Sequence, residues 1–138
     1  MAKFEFKPIY YWFAIFALTF VAYQQITDNI RPYYSGGNAV IIYFLGIAPN
    51  FFPAVGIPAL FVILLPELGR SAEPAKWLRE QRHISANLIS VVGLIAWEFV
   101  QMSRPKAQFD WNDVLWTFVG AAVFQLLWTV SPAKYKAS

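Results

Sequence analysis

A chain of 138 residues that is 58% hydrophobic, 19% aromatic and only 14% charged falls well short of the charged content of about a quarter usual in water-soluble domains. That composition excludes an ordinary soluble fold and implies one compact all-α integral membrane domain over residues 1–138. The net charge of +3 comes from Lys and Arg scattered at segment ends with no basic stripe, so nucleic acid is excluded as a partner, membrane lipids are the expected surroundings, and the absence of cysteine rules out disulfides and thiolate chemistry.

Crossing a hydrocarbon core about 30 Å thick takes roughly 20 helical residues, and four segments qualify. The first, about 8–26, follows Lys3 and Lys7 in the manner of a signal peptide. Its apolar run ends in Tyr23, Gln24 and Gln25 rather than in small residues, so a retained helix is expected. Tyr10, Tyr11, Trp12 and Tyr23 are read as aromatic anchors at the two interfaces. The turn TDNIRPYYSGGN then supplies Asp28 and Arg31, as a local ion pair or as solvated charges.

The apolar stretch 38–65 would form a straight helix of about 42 Å, too long to cross without strong tilt. Pro49, Pro53, Gly56 and Pro58 interrupt it. Proline is tolerated at the first helical position but removes a hydrogen bond further in. A break is therefore expected near Gly46–Pro49, with a second span at 49–66 and a short interfacial or re-entrant segment at 38–47.

The loop PELGRSAEPAKWLREQRH is polar and helix-prone from Glu73, with Pro74 suited to a first turn. It reads as a surface helix whose Trp77 and Leu78 touch lipid headgroups. His83 ends the loop at the membrane boundary, and with no second histidine it is expected to be interfacial rather than a metal ligand. The third and fourth spans follow at about 84–103 and 112–130. Eight Lys and Arg flank the N-terminus, this loop and the C-terminus, against three on the other side, so both termini are expected to be cytoplasmic. The stretch 98–114, EFVQMSRPKAQFDWNDV, then lies at the outer face.

That stretch holds the chemistry. A helix turning 100° per residue gathers Asn87, Ser90, Leu94, Glu98 and Gln101 of the third span into a stripe about 80° wide. Lipid cannot satisfy these groups, so the seam should face other helices or a watery cleft. Ala86 and Gly93 flank it and would admit a close neighbour. On the fourth span Asp110, Asp113, Thr117 and Gly120 share a side. Asp110 can cap the helix and Asp113 meets its positive end, which accounts for both structurally and leaves a chemical role open. Glu98 either pairs with Arg104 or Arg31 or faces a ligand as an acid or base. Asn50 either holds an anionic group at a helix start or satisfies backbone loosened by Pro49 and Pro53.

The pattern Glu98-x-x-Gln101, a short basic turn, Phe109-Asp110-x-x-Asp113 and Gly120 resembles the VanZ-like membrane proteins. Asn50-Phe-Phe-Pro-Ala-Val-Gly-Ile-Pro resembles that family's second motif, so the likeness covers about 49–125. The chain departs from the family pattern at Ala107, where an arginine is usual, at Thr117, where an asparagine is usual, and at Phe124, where a glycine is usual. The resemblance implies a small multi-pass protein of the bacterial inner membrane, some of whose relatives confer resistance to glycopeptide antibiotics.

Two functions follow as expectations. One is binding or modification of a cell-envelope lipid or lipid-linked component in an outer-leaflet cleft of Glu98, Asn50, Gln101, Arg104, Asp110 and Asp113, with Glu98 as the candidate catalytic acid or base. The other is a non-catalytic accessory subunit of a larger membrane protein complex, to which 13 Phe, seven Tyr and six Trp lend an aromatic packing surface. No Gly-rich phosphate loop, Ser–His pair or histidine pair is present, so no cofactor and no metal are expected. Four spans without a repeat offer no transport path.

Overall fold

The computed structural model describes residues 6–68 and 76–137, and it is helical throughout apart from short connections. Pro8 opens helix α1 (Pro8–Gln24) at a position where its missing N–H leaves no bond unmade. The chain continues without a break through a π-helical turn, Gln25–Ile30, and a 3-10 turn, Arg31–Tyr33. Asn38 starts α2 (Ala39–Leu68), its side-chain oxygen accepting the N–H groups of Val40 at 3.0 Å and Ile41 at 3.3 Å. Then come the short α3 (Lys76–Glu80), α4 (Arg82–Met102), α5 (Trp111–Val130) and a closing 3-10 turn, Ala133–Tyr135. Four helical stretches are long and apolar enough to cross a membrane, at Pro8–Tyr33, Ala39–Glu67, Arg82–Met102 and Trp111–Val130. The four expected spans are therefore present. Of the loop helix, Glu73 and Pro74 lie outside the described residues, as do Lys3 and Arg70 of the charge count, while Trp77 is exposed on α3.

The expected break near Gly46–Pro49 and the separate segment at 38–47 are corrected by α2, which is one helix of 30 residues with Pro49, Pro53, Pro58 and Pro66 inside it. Each interior proline removes one backbone bond, at a cost of about 3 kcal/mol. Tertiary packing offsets this. The helix lies against α1, α4 and α5, burying Ala54, Val55, Ala59, Val62 and Leu65. In hydrocarbon, unwinding would also expose far more unpaired backbone than the prolines do. The result is a rod of about 45 Å whose first turns, with Val40, Ile42 and Phe44, stay exposed.

Two glycines set how closely helices approach α2. A Cβ on Gly120 would stand 2.6 Å from the Ala54 Cβ and 2.7 Å from the Phe51 carbonyl oxygen, and one on Gly56 would strike the Thr19 hydroxyl. Ala86 is fully buried in the core with Trp12, Ala59, Val62, Leu65 and Phe124. Gly93, expected to share that role, has no neighbour within 4 Å of its would-be Cβ. It lies two turns beyond Ala86, where no other helix reaches it. Phe13, Leu18, Leu88, Val92, Phe118 and Leu126 point outward, an apolar exterior suited to lipid.

The start of α1 and the C-terminal turn meet at one end of the bundle. Trp12 donates its indole N–H to the Tyr135 carbonyl at 2.8 Å, the Tyr11 ring stacks on Tyr135 at 4.3 Å, and Arg82 donates to the Lys136 carbonyl. Trp12 is thus a core residue, packed on Phe124 and Trp128, and not the interfacial anchor the sequence suggests. The short C-terminal turn folds back over it, which no local signal in α1 reveals. The opposite end holds Glu98 and Gln101 of α4 with Asp110, Asn112 and Asp113 at the start of α5.

Candidate functional site: a polar cleft at one end of the bundle

The seam read from α4 is present. Asn87, Ser90 and Glu98 are buried on one face. Asn87 donates to the Ala121 carbonyl at 3.0 Å, tying α4 to α5. Its Oδ1, with the Ser85 and Ser90 hydroxyls, has no partner among the described residues. At the far end this face opens into a cleft of about 420 Å³ between α2, α4, α5 and the 3-10 turn after α1.

Glu98 and Gln101 form one wall of the cleft, Asp110, Asn112 and Asp113 a second, and Gly46, Ile47, Pro49 and Asn50 a third, with Arg31 and Tyr43 at its edge. Glu98 is 8% exposed. Asp110 caps α5 as expected, its carboxylate accepting the Asn112 N–H at 2.8 Å. The Asp113 side chain stays in the cleft while its carbonyl accepts the Thr117 hydroxyl at 3.0 Å. Phe109 packs sideways, 5.4 Å from Phe99 and 4.9 Å from Trp111, which holds the turn so that Asp110 and Asp113 face inward.

Of the residues expected in the site, Asn50, Glu98, Gln101, Asp110 and Asp113 line the cleft together. Arg104 does not. Its guanidinium stands over the Trp97 ring, 5.5 Å from the centroid, because the turn after α4 carries it away from the seam and closes through Lys106 at a positive φ of 70°. Neither expected pairing of Glu98 forms: the ion pair found among the described residues is Lys76–Glu80, on α3. Asp28 and Arg31 are likewise not paired, and Arg31 is the cation of the cleft. The π-helical turn widens the end of α1 and delivers it there.

Four participants escaped the sequence reading, Tyr43, Gly46, Ile47 and Asn112. Tyr43 donates to Asn112 Oδ1 at 3.1 Å and accepts the Trp116 indole N–H at 2.8 Å. Gly46 and Ile47 belong to the wall. All but Asn112 sit on the part of α2 assigned to a separate segment. The continuity of α2 also removes the reasoning that gave Asn50 an anion: residue 49 is mid-helix, so no free helix-start amides surround it. With Glu98, Asp110 and Asp113 against Arg31 alone, the cleft carries a formal surplus of negative charge.

Directly along α2 lies an apolar groove of about 260 Å³ between α1 and α2. Phe16, Thr19, Phe20 and Tyr23 form one side, and Phe52, Pro53, Gly56 and Ile57 the other. Pro53 and Ile57 follow Pro49 and Asn50 at helical spacing, so the groove continues the cleft's own face of α2. No family model, no curated protein and no solved structure matches this chain.

Proposed function

We propose that this chain is a VanZ-like multi-pass protein of the bacterial inner membrane whose cleft, at the outer leaflet, binds the polar head of a cell-envelope lipid or lipid-linked component. The observation that carries the reading is Glu98: a residue 8% exposed, with no ion-pair partner among the described residues, facing a cleft of ligand size that Arg31 edges. Such groups inside a membrane domain are retained for function by default. A surplus of carboxylates and amide oxygens favours heads rich in donors, namely sugar hydroxyls or an ammonium group, over phosphate-only heads. The adjoining groove offers a bed for part of the hydrocarbon chain. The charge asymmetry of the termini supports the cleft's outward position.

Glu98→Gln and Asp113→Asn, expressed in place of the native chain, test this. Each is expected to change susceptibility to glycopeptide antibiotics while leaving membrane insertion intact. Unaltered susceptibility in both, with the protein present at normal level, counts against the reading. The second reading, a non-catalytic subunit of a larger complex, draws on α1, which packs chiefly on α2 and leaves Phe13, Leu18, Phe20 and Val21 exposed. Mass determination after gentle solubilisation separates the two, since a stoichiometric partner supports the subunit and a free monomer the lipid-binding protein.

A further inference from the structure

At the other end of the bundle a separate pocket of about 390 Å³ lies between α1, α2, α4 and the C-terminal tail. Its rim carries Lys7 and Arg82, and its floor is Ile9, Trp12, Val62, Ile63 and Pro66. Arg82 is 7% exposed. Its guanidinium donates to the Lys136 carbonyl and lies over the Trp128 ring, 5.4 Å from the centroid. Among the described residues it has no carboxylate within ion-pair distance, although Glu67 also lines the pocket. A buried guanidinium has five donors, and these contacts leave its charge without a counter-ion among the described residues. Burying a charge without an opposite one is among the costliest arrangements a fold can hold.

We propose that this pocket binds the phosphate of an anionic phospholipid, with Arg82 and Lys7 as its cationic contacts. Arginine's planar fork suits two phosphate oxygens at once, and Lys7 at the rim adds a mobile point charge. The apolar floor requires a phosphate that arrives attached to acyl chains, because a free anion would leave Ile9, Ile63 and Pro66 against water. Basic pockets between spans at a membrane's charged face hold anionic heads by this chemistry. Lys134 and Lys136, on the turn that closes this end, add attraction at longer range. The site is independent of the acidic cleft and stands whether or not that cleft binds a lipid.

The test is native mass spectrometry of the full chain after reconstitution in vesicles of phosphatidylglycerol mixed equally with phosphatidylcholine, then release in mild detergent. Wild type is expected to retain phosphatidylglycerol selectively, Arg82→Gln to lose that selectivity by about tenfold, and Lys7→Gln by a few-fold, while Lys106→Gln at the opposite end matches wild type. Should Arg82→Gln fail to fold, Lys7→Gln alone decides, because Lys7 makes no side-chain cap. Equal retention of the two lipids by wild type overturns the proposal, as does unchanged selectivity in Lys7→Gln. Displacement of the lipid by an equal concentration of inorganic phosphate overturns its lipid part and assigns the site to free phosphate.

Discussion

The Tyr43 hydroxyl bridges two residues of α5, donating to Asn112 Oδ1 at 3.1 Å and accepting from the Trp116 indole at 2.8 Å. One hydroxyl therefore fastens the projecting start of α2 to the start of α5 across the mouth of the cleft. Tyr43→Phe keeps the ring but removes both bonds. It should lower stability by about 1 kcal/mol and raise amide exchange at residues 39–46, with the core around Trp12 unaffected. Exchange mapped by mass spectrometry checks this; no local change at 39–46 would mean the bridge does not hold the mouth.

Gly120 packs where α5 meets α2. Gly120→Val brings a Cβ to 2.7 Å from the Phe51 carbonyl, a backbone atom that cannot swing aside. A loss of about 1–3 kcal/mol is expected. Gly93→Ala meets nothing within 4 Å and should be neutral or slightly stabilising in a helix. Thermal denaturation in detergent distinguishes them, and equal behaviour of the two variants would contradict the packing described.

Asp110 has a structural role and a place in the cleft, and two substitutions separate these. Asp110→Asn retains a capping oxygen and should fold with wild-type stability, whereas Asp110→Ala loses the cap to Asn112 and about 1 kcal/mol. If the cleft binds a donor-rich head, both variants weaken binding. Stability and lipid retention measured together make the split visible, and an Asp110→Asn protein that retains lipid fully would confine Asp110 to capping.

The chain has no cysteine, so spin labels at Phe44→Cys and Leu64→Cys report α2 alone; both positions are exposed. One continuous helix places the two backbones about 30 Å apart. A re-entrant 38–47 segment folding back would bring them well within that distance.

Much of this arrangement is legible in the sequence, and the failures share a cause. The four spans follow from apolar runs, and the α4 seam from the 100° repetition of Asn87, Ser90, Glu98 and Gln101, because both are local periodicities. The break expected at Gly46–Pro49 follows from the local cost of proline, which packing against three helices overrides. Ala86 and Gly93 look alike on a helical wheel, yet only Ala86 has a neighbour. Arg104 is near Glu98 in sequence and points to Trp97, while Arg31, far away, reaches the cleft through a π-helical turn. Trp12 looks like an interfacial anchor until the C-terminal turn covers it. In each case the deciding contact is long-range, and a single sequence carries no record of it.

The most direct test of the central claim is the lipid that accompanies the protein out of its membrane. Wild type and Glu98→Gln, purified identically from the same bacterial envelope, are extracted and their bound lipids identified by mass spectrometry. The account predicts a lipid with a hydroxyl-rich or ammonium-bearing head enriched on wild type and depleted on Glu98→Gln at equal fold stability. The same lipid profile on both proteins, matching that of the bulk membrane, would contradict it.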